Sequence, residues 1–357
     1  MSVRRCLSAL AIATTAAAFA ATAADAKTKV VVAGGPPPKA SQAGAVKFPA
    51  ALDLNGFFRK VVTIHAGDSV KWQFSKRVVH TVTFLAPGQS RPTLETQDPA
   101  NPYSGFNDST GAPMWFNGQP GITIPPDHAF PQGGDTIGAK AYHNSGLSAP
   151  AFTDYKLKFT KKGSYKYICL VHPGMSGRVK VLPKSATIPS AKADRKARVK
   201  EYKKAVKKSK GLAKLKPKGN NVVAGHDSGN VSWFRFFPET RTIKAGESVH
   251  FSISSSSEIH TMTFGPQPSQ DLVLVHPQPA GPPLLQFNPF MFLPSDVPPL
   301  PAYTGANHGD GFFNTGIMDT NPQSPPPSSV DVTFTNPGTY LYECTIHPGM
   351  QATIKVE

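Results

Sequence analysis

Apolar and polar residues alternate in several short segments that lie in two separate regions of the chain. Examples from the first region are SVKWQF (69–74), DYKLKFT (154–160) and SYKYICLV (164–171), which are rich in Val, Tyr, Phe and Ile. An alternation of period two predicts β-strands with one face towards a core. Turn sequences such as Ala-Gly-Asp separate the segments, and no comparable helical period occurs within either region. Each region is therefore predicted to be an antiparallel β-sandwich.

The two regions are predicted to be copies of one domain. The stretch TIHAGDSVKWQFSKRVVHTVTF (63–84) matches TIKAGESVHFSISSSSEIHTMTF (242–264), and each ends in His-Thr-x-Thr-Phe. Further on, YKYICLVHPGM (165–175) matches YLYECTIHPGM (340–350). A chain of 357 residues is also long for one domain. We therefore predict an all-β protein with two tandem domains, at 46–182 and 222–357.

The N-terminal stretch has the order of segments that is typical of a secretory signal peptide. Arg4 and Arg5 precede an apolar Ala/Leu run, and the small-residue triplet Ala24-Asp25-Ala26 follows it. Residues 1–26 are therefore predicted to be removed on export, and the alternative is an uncleaved membrane anchor. Nothing later in the chain is apolar enough to span a bilayer. The mature protein is expected in the periplasm or outside the cell.

Residues 183–221 differ from both copies in composition. From Lys184 to Lys218 there are 14 Lys/Arg against Asp194 and Glu201, which gives net +12 of the chain's formal +16. The segment contains helix formers, so it is predicted to be a solvated helical linker that holds the domains on the order of 35 Å apart. It could bind an anionic surface or an acidic partner protein, or it could be only a charged spacer. Nucleic acid is not expected as a partner, because the protein is exported and aromatic residues do not alternate with the charges.

Three cysteines occur in the sequence, and Cys6 leaves with the signal peptide. Exported proteins normally use cysteines in disulfides. Cys169 and Cys344, however, occupy equivalent places in the two copies, so a disulfide would have to join separate domains. We therefore interpret these two thiols as metal ligands.

Each cysteine belongs to a group of potential copper ligands. A His follows three residues after each Cys and a Met three residues later, while His80 and His260 supply a second imidazole from the His-Thr-x-Thr-Phe segments. Two His, one Cys and a weak axial Met form the ligand set of a blue-copper electron-transfer site. Zinc is the main alternative, but it prefers four strong donors. A structural Cys beside a chance His and Met would explain one copy more easily than two.

These motifs resemble those of the cupredoxins, the plastocyanin, pseudoazurin and amicyanin group, over about 46–182 and 222–357. The resemblance implies two Greek-key β-sandwiches, each with one type 1 (blue) copper. The implied copper ligands are His80, Cys169, His172 and Met175 in the first domain and His260, Cys344, His347 and Met350 in the second. Members of that group usually have Asn or a similar residue directly after the first His, where it ties the two ligand loops together, whereas Thr81 and Thr261 occupy this position in the present chain.

Long insertions separate the first His from the Cys in both copies, at about 86–150 and 265–329. They are rich in Pro, Gly, Asn and Phe. Loops of this length in a compact domain are usually functional or disordered. They could cover the copper site and select a redox partner, pack as rigid coil over the sandwich, or mate with each other in a docked pair of domains.

Electron transfer is the function that these observations favour, with the two coppers acting as separate carriers. Copper storage or delivery is the alternative, although it predicts Met-rich or His-rich tracts that the sequence lacks. An oxidase or nitrite reductase would need His-x-His pairs and a His directly before the Cys. Ile168 and Glu343 occupy those positions, and no His-x-His occurs. The protein is therefore expected not to be an enzyme.

Overall fold

A computed structural model describes residues 26–149, 154–321 and 326–357. The predicted signal peptide therefore lies outside the described residues, apart from its last position. The regular elements of the described residues are mainly short strands.

The strands of the first half are β1 (Thr28–Ala33), β2 (Leu52–Asp53), β3 (Phe57–Phe58), β4 (Val61–His65), β5 (Ser69–Phe74), β6 (Thr83–Phe84), β7 (Thr96–Pro102), β8 (Pro120–Ile124), β9 (Pro131–Gln132), β10 (Thr136–Ile137), β11 (His143–Ser145), β12 (Asp154–Phe159), β13 (Gly163–Ile168) and β14 (Ser176–Leu182). Those of the second half are β15 (Asn221–Ser228), β16 (Val231–Phe237), β17 (Thr240–Ile243), β18 (Ser248–Ile253), β19 (Thr263–Phe264), β20 (Val273–His276), β21 (Leu284–Phe287), β22 (Phe313–Asn314), β23 (Ser329–Thr333), β24 (Gly338–Glu343) and β25 (Gln351–Val356). The helices are α1 (Pro126–Ala129), α2 (Ala191–Leu212) and α3 (Pro289–Phe292), with 3-10 turns at Ala40–Gln42 and Asn307–Gly309.

The first half is a β-sandwich. One sheet has the order β10-β12-β5-β1-β3 and the other the order β4-β14-β13-β6-β11-β9. The core between them contains apolar side chains from both sheets, among them Val70, Trp72, Leu157, Tyr167 and Val179. Strand β1 lies parallel to β5 over its full length. Residues 28–33, which precede the predicted domain start at 46, therefore belong to one sheet of this sandwich.

The second half repeats this architecture. Its sheets have the orders β2-β16-β15-β18-β23 and β17-β25-β24-β19-β22. Phe251, Phe264, Tyr342 and Ile354 belong to the core between them. The first strand of each copy also matches in register, since Ala33 pairs with Phe74 and Ala224 pairs with Ile253. The predicted all-β fold with two tandem sandwiches is confirmed.

The basic segment between the copies forms helix α2, as predicted. The helix begins after Ser190, whose side chain accepts a hydrogen bond from the backbone N–H of Ala193 at 3.2 Å. Its buried residues recur every three or four positions, which places them on one face: Asp194, Arg198, Tyr202, Ala205 and Ser209. The lysines lie mostly on the other faces. The helix can therefore pack through one face although the segment as a whole has a high net charge.

The predicted separation of the domains by this helix is wrong, because the buried face of α2 packs against both halves. Tyr202 stacks on Phe58 of the first half, with ring centroids 3.9 Å apart. The same apolar cluster contains Trp233 of the second half, whose Nε1–H donates to the carbonyl of Ser209 at 2.9 Å. The few acids of the segment also pair, as Asp194 contacts Lys29 at 2.5 Å and Arg59 at 3.0 Å.

Strand pairing joins the two halves directly. Strand β2 of the first half lies antiparallel to β16 at the edge of a second-half sheet. The insertions contribute β7 and β8 from the first half and β20 and β21 from the second, and these form one sheet in the order β20-β21-β8-β7. The insertions therefore pair with each other, which agrees with the alternative of a docked pair of domains.

No helix in the described ranges is both long enough and apolar enough to cross a lipid bilayer.

Candidate metal centre

The ligand loop of the first half is closed by short backbone hydrogen bonds. Cys169 follows β13, and the turn before β14 carries His172 and Met175. The N–H of Met175 donates to the carbonyl of His172 at 3.2 Å, and the N–H of Cys169 donates to the carbonyl of Met175 at 3.0 Å. These bonds fold the loop back on itself. The turn therefore brings Cys169 and His172 close together, and it places Met175 in the same buried cluster as Cys169.

His80 completes the first donor group from the segment before β6. Its Nδ1 lies 3.1 Å from Nδ1 of His172 and 4.0 Å from Sγ of Cys169. The Cys169 Sγ and His172 Nδ1 are 3.5 Å apart. The three side chains are buried, with His80 and Cys169 fully shielded. Met175 is 2% exposed and belongs to the same core cluster as Cys169.

The second half repeats this geometry with its own residues. The Nδ1 atoms of His260 and His347 are 3.1 Å apart, and Sγ of Cys344 lies 3.7 Å and 3.5 Å from them. Met350 is buried in the core cluster that contains Cys344. Among the described residues, these two are the groups in which three or more His, Cys, Asp or Glu donors converge within 4.8 Å.

The side chains of Thr81 and Thr261, which follow the first histidine of each donor set, link the two ligand segments of each half. The hydroxyl of Thr81 accepts a hydrogen bond from the N–H of Leu170 at 2.8 Å, directly after Cys169. Thr261 accepts from the N–H of Thr345 at 3.0 Å in the same way. A threonine hydroxyl at this position therefore links the two ligand segments in each half.

The surroundings of each cysteine favour the thiolate. Burial alone would raise the pKa of Cys169, but its contacts with His172 and His80 outweigh burial and hold that pKa well below its ordinary value. The neighbouring histidines lower the pKa of Cys344 in the same way. The backbone N–H of Thr81 also donates to Sγ of Cys169 at 3.4 Å. A thiolate is the form of cysteine that binds a metal ion.

A glycine packs against the first histidine of each donor group. Gly34 and Gly225 have φ of +82° and +67°, and a Cβ at these positions would lie 2.4 Å and 2.2 Å from Nε2 of His80 and His260. These two Nε2 atoms are buried without a hydrogen-bond partner in the described structure. Each imidazole is therefore held by packing on one side and offers Nδ1 to the centre.

Glu258 was missed by the sequence analysis, although it lies between the two centres. Its Oε1 is 3.6 Å from Nε2 of His172 and its Oε2 is 3.4 Å from Nε2 of His347. Burial raises the pKa of Glu258, but the neighbouring histidines outweigh burial and lower the pKa to about 2. The sequence does contain a signal for Glu258. Alignment of the two copies on His80 and His260 places this charged residue opposite the apolar Val78.

The donor sets fit copper better than zinc. Each offers a thiolate and one imidazole nitrogen from the ligand loop and a second imidazole nitrogen from the His-Thr-x-Thr-Phe segment, all buried, with a thioether as the further donor of the motif. The carboxylate of Glu258 faces the outer nitrogen of one histidine in each set. A carboxylate is a usual hydrogen-bond partner of this nitrogen when the other ring nitrogen binds a metal. The structure therefore brings together His, Cys and His of each predicted set, and the Met of each set lies buried in the adjacent core.

Two sandwiches, each with a buried His–Cys–His group at the same place, form the arrangement expected of two cupredoxin-like domains. Residues 53–182 match the model of a family described as copper binding proteins, plastocyanin/azurin family. Copper is the metal of this family, and the chain has one donor set for it in each half. A comparison with curated proteins gave no match.

Similar solved structures are amicyanins and a plastocyanin. A mutant amicyanin with Cu(I) is 19% identical, covers 34% of this chain and 70% of its own, and has a TM-score of 0.19. A reduced Cu(I) mutant amicyanin at pH 4 is 17% identical over 43% of this chain and 82% of its own, with a TM-score of 0.22. A mutant plastocyanin of fern is 21% identical over 38% of this chain and 99% of its own, also with a TM-score of 0.22. Matches at this level do not bear on the function of this chain.

Proposed function

We propose that the protein is an exported one-electron carrier with a type 1 copper site in each domain. The ligands are His80, Cys169, His172 and Met175 in the first and His260, Cys344, His347 and Met350 in the second. The observation that carries the proposal is the repeated buried group of two Nδ1 atoms and one Sγ. Copper held there would alternate between Cu(I) and Cu(II) and so carry single electrons.

The residues around each site support this function by keeping the ligands fixed. The threonine hydroxyls join the two ligand segments, and the N–H groups of Thr81 and Thr261 donate to the cysteine sulfurs at 3.4 Å and 3.5 Å. Arg91 of the first insertion donates to the carbonyl of Leu170 at 2.6 Å, so an insertion braces the ligand loop. Rigid, water-excluding surroundings keep the donor atoms in place in both oxidation states.

Replacement of one thiolate tests the proposal. The copper-loaded chain is expected to bind two coppers and to show an intense blue thiolate-to-copper band that disappears reversibly on reduction. Cys344→Ser should remove about half of the band and leave the first site intact, because each sandwich contains its own ligand set. Cys169→Ser is the matched variant for the other site. Metal analysis and visible absorption measure both effects.

Other outcomes would contradict the proposal. Two tightly bound coppers without an intense blue band would indicate storage or delivery. Steady turnover of dioxygen or nitrite would indicate an enzyme, which the residues Ile168 and Glu343 before the cysteines argue against.

Mass spectrometry of the exported chain tests the signal peptide, since processing after Ala26 is expected. A chain that stays in the cytoplasm and keeps residues 1–26 would contradict export.

The exposed face of α2 is proposed to attract an acidic redox partner. Its solvent-facing residues are basic, and they include Lys192, Lys196, Lys203, Lys207 and Lys210. A surface of one charge raises the rate of encounter with molecules of opposite charge, and salt screens the effect. Lys203→Glu combined with Lys207→Glu should therefore slow oxidation by an anionic one-electron oxidant several-fold at low salt. Equal effects on an anionic and a cationic oxidant would contradict this role.

A further inference from the structure

The carboxylate of Glu258 is the only charged group of the described residues for which contacts to histidines of both donor sets are found. Its side chain is 5% exposed. His172 and His347 each direct Nδ1 towards their own cysteine and Nε2 towards this carboxylate. The two imidazoles therefore approach one another from opposite domains with a single side chain between them.

We propose that Glu258 is a positioning residue that couples the two copper sites into one electron-transfer pair. This inference rests on the proposed function. The path runs from Nδ1 to Nε2 through the ring of His172, across 3.6 Å to Oε1, through the carboxylate, and across 3.4 Å from Oε2 to Nε2 of His347. All other steps of the path between the two Nδ1 atoms are covalent. With copper bound in both sites, one electron would cross this path, so that one site would be oxidised from Cu(I) to Cu(II) while the other would be reduced from Cu(II) to Cu(I), and no proton would be needed.

Residues of both halves hold Glu258 in this position. Its backbone N–H donates to Oγ of Ser255 at 2.9 Å, and Ser255 in turn donates to Asp227 at 2.7 Å. From the first half, the side-chain amide of Asn55 donates to Oε1 of Glu258. Asn55 also donates to Oγ of Ser232 at 3.2 Å. The carboxylate is thus fixed from its own loop and from the opposite domain.

The position of Glu258 in the repeat indicates a role that belongs to the pair of domains. The two copies share His, Thr and Phe in the His-Thr-x-Thr-Phe segment, but Val78 stands where the second copy has Glu258. One carboxylate therefore serves both sites. A carboxylate that accepts the outer N–H of a metal-bound histidine fixes the orientation of the ring and its basicity. Here the same group would do so for a ligand in each domain.

Intersite electron exchange measures the coupling. Met350→Leu is used as the background, because a change of axial donor separates the potentials of the two sites and leaves Glu258 and the histidines in place. After rapid reduction with less than one equivalent of electrons, the blue band is expected to relax in a single phase whose rate does not depend on protein concentration. Slow or concentration-dependent relaxation in a protein with two intact blue sites would overturn the inference and leave the proposed function standing.

Glu258→Gln then tests the residue itself. In the same background it is expected to slow the relaxation by roughly 10-fold to 100-fold, the size typical of lost partners of metal-bound histidines. The potentials of both sites should rise, because a negative charge near both is lost. Glu343→Gln is the control, since Glu343 contacts Gln267 and Gln351 rather than a histidine. An unchanged rate in Glu258→Gln, or an equal change in Glu343→Gln, would overturn the inference.

A second readout needs no blue copper. In ¹H–¹⁵N spectra of the metal-free or fully reduced chain, the Nε2–H signals of His172 and His347 are expected to exchange slowly with solvent and to shift together in Glu258→Gln. The ring signals of His80 and His260 should shift less, because these rings contact His172 and His347 rather than the carboxylate of Glu258. A shift confined to one histidine, or none, would overturn the coupling by Glu258. Absence of a blue band in the copper-loaded chain would instead overturn the proposed function.

Discussion

Tyr202→Ala is expected to lower the free energy of unfolding by about 3–5 kcal/mol, the usual cost of removing a large buried aromatic ring. The side chain is fully buried, and it stacks on Phe58 in the cluster that joins both halves. Its hydroxyl also donates to the carbonyl of Gly34 at 3.1 Å, next to the ring of His80. Urea unfolding followed by far-UV circular dichroism measures the change.

Two variants at and beside this position separate the contributions. Tyr202→Phe keeps the ring and loses the hydrogen bond, so about 1 kcal/mol of destabilisation is expected. Lys203→Ala lies on the exposed face of the same helix and should change stability by about 0.5 kcal/mol or less. If Tyr202→Ala were no more destabilising than Lys203→Ala, α2 would not join the domains in solution.

The strands and the donor sets could be predicted from the sequence because they depend on local patterns that occur twice. Alternation of polar and apolar residues marks the strands, and one turn closed by backbone hydrogen bonds brings Cys169, His172 and Met175 together. The partner strand of each ligand segment is also marked, by the repeated His-Thr-x-Thr-Phe. The same four ligand types recur in the same order in both copies, which argues against a chance arrangement more strongly than one copy could.

The docking of the domains could not be predicted because it depends on contacts between distant segments without a regular pattern. Strand β2 has only two residues, and its partner β16 lies in the other half. The shared sheet of the insertions likewise pairs Leu285 with Ile124 across the two copies. In α2, the high net charge concealed a buried face on which Tyr202 packs and Asp194 pairs with Lys29.

Comparison of the two copies could have revealed Glu258. Alignment on His80 and His260 places this glutamate opposite Val78. A charged residue two positions before a buried metal ligand needs a polar or charged partner. Because the other copy has an apolar residue at this position, the architecture that the two copies share does not require the charge. The structure supplies that partner from the opposite domain, in Asn55 and His172.

Gly225→Ala is expected to remove copper from the second site and leave one copper per chain. A methyl group at this position would lie 2.2 Å from Nε2 of His260, so the ring must move away from Cys344 and His347. The backbone gives no relief, because φ is +67° and an L-residue with a side chain is strained there. Metal analysis should show the loss, and the blue band should fall by about half.

The backbone strain and the steric contact can be separated with Gly246→Ala. Gly246 has φ of +86°, and a Cβ there would meet no atom of the described residues within 4 Å. This variant should lose about 1–2 kcal/mol of stability and keep two coppers. Gly34→Ala, with a Cβ 2.4 Å from Nε2 of His80, should remove copper from the first site instead. Retention of both coppers with an unchanged spectrum in Gly225→Ala would mean that the imidazole of His260 is not held where the structure places it, since the added methyl group and that ring cannot occupy the same space.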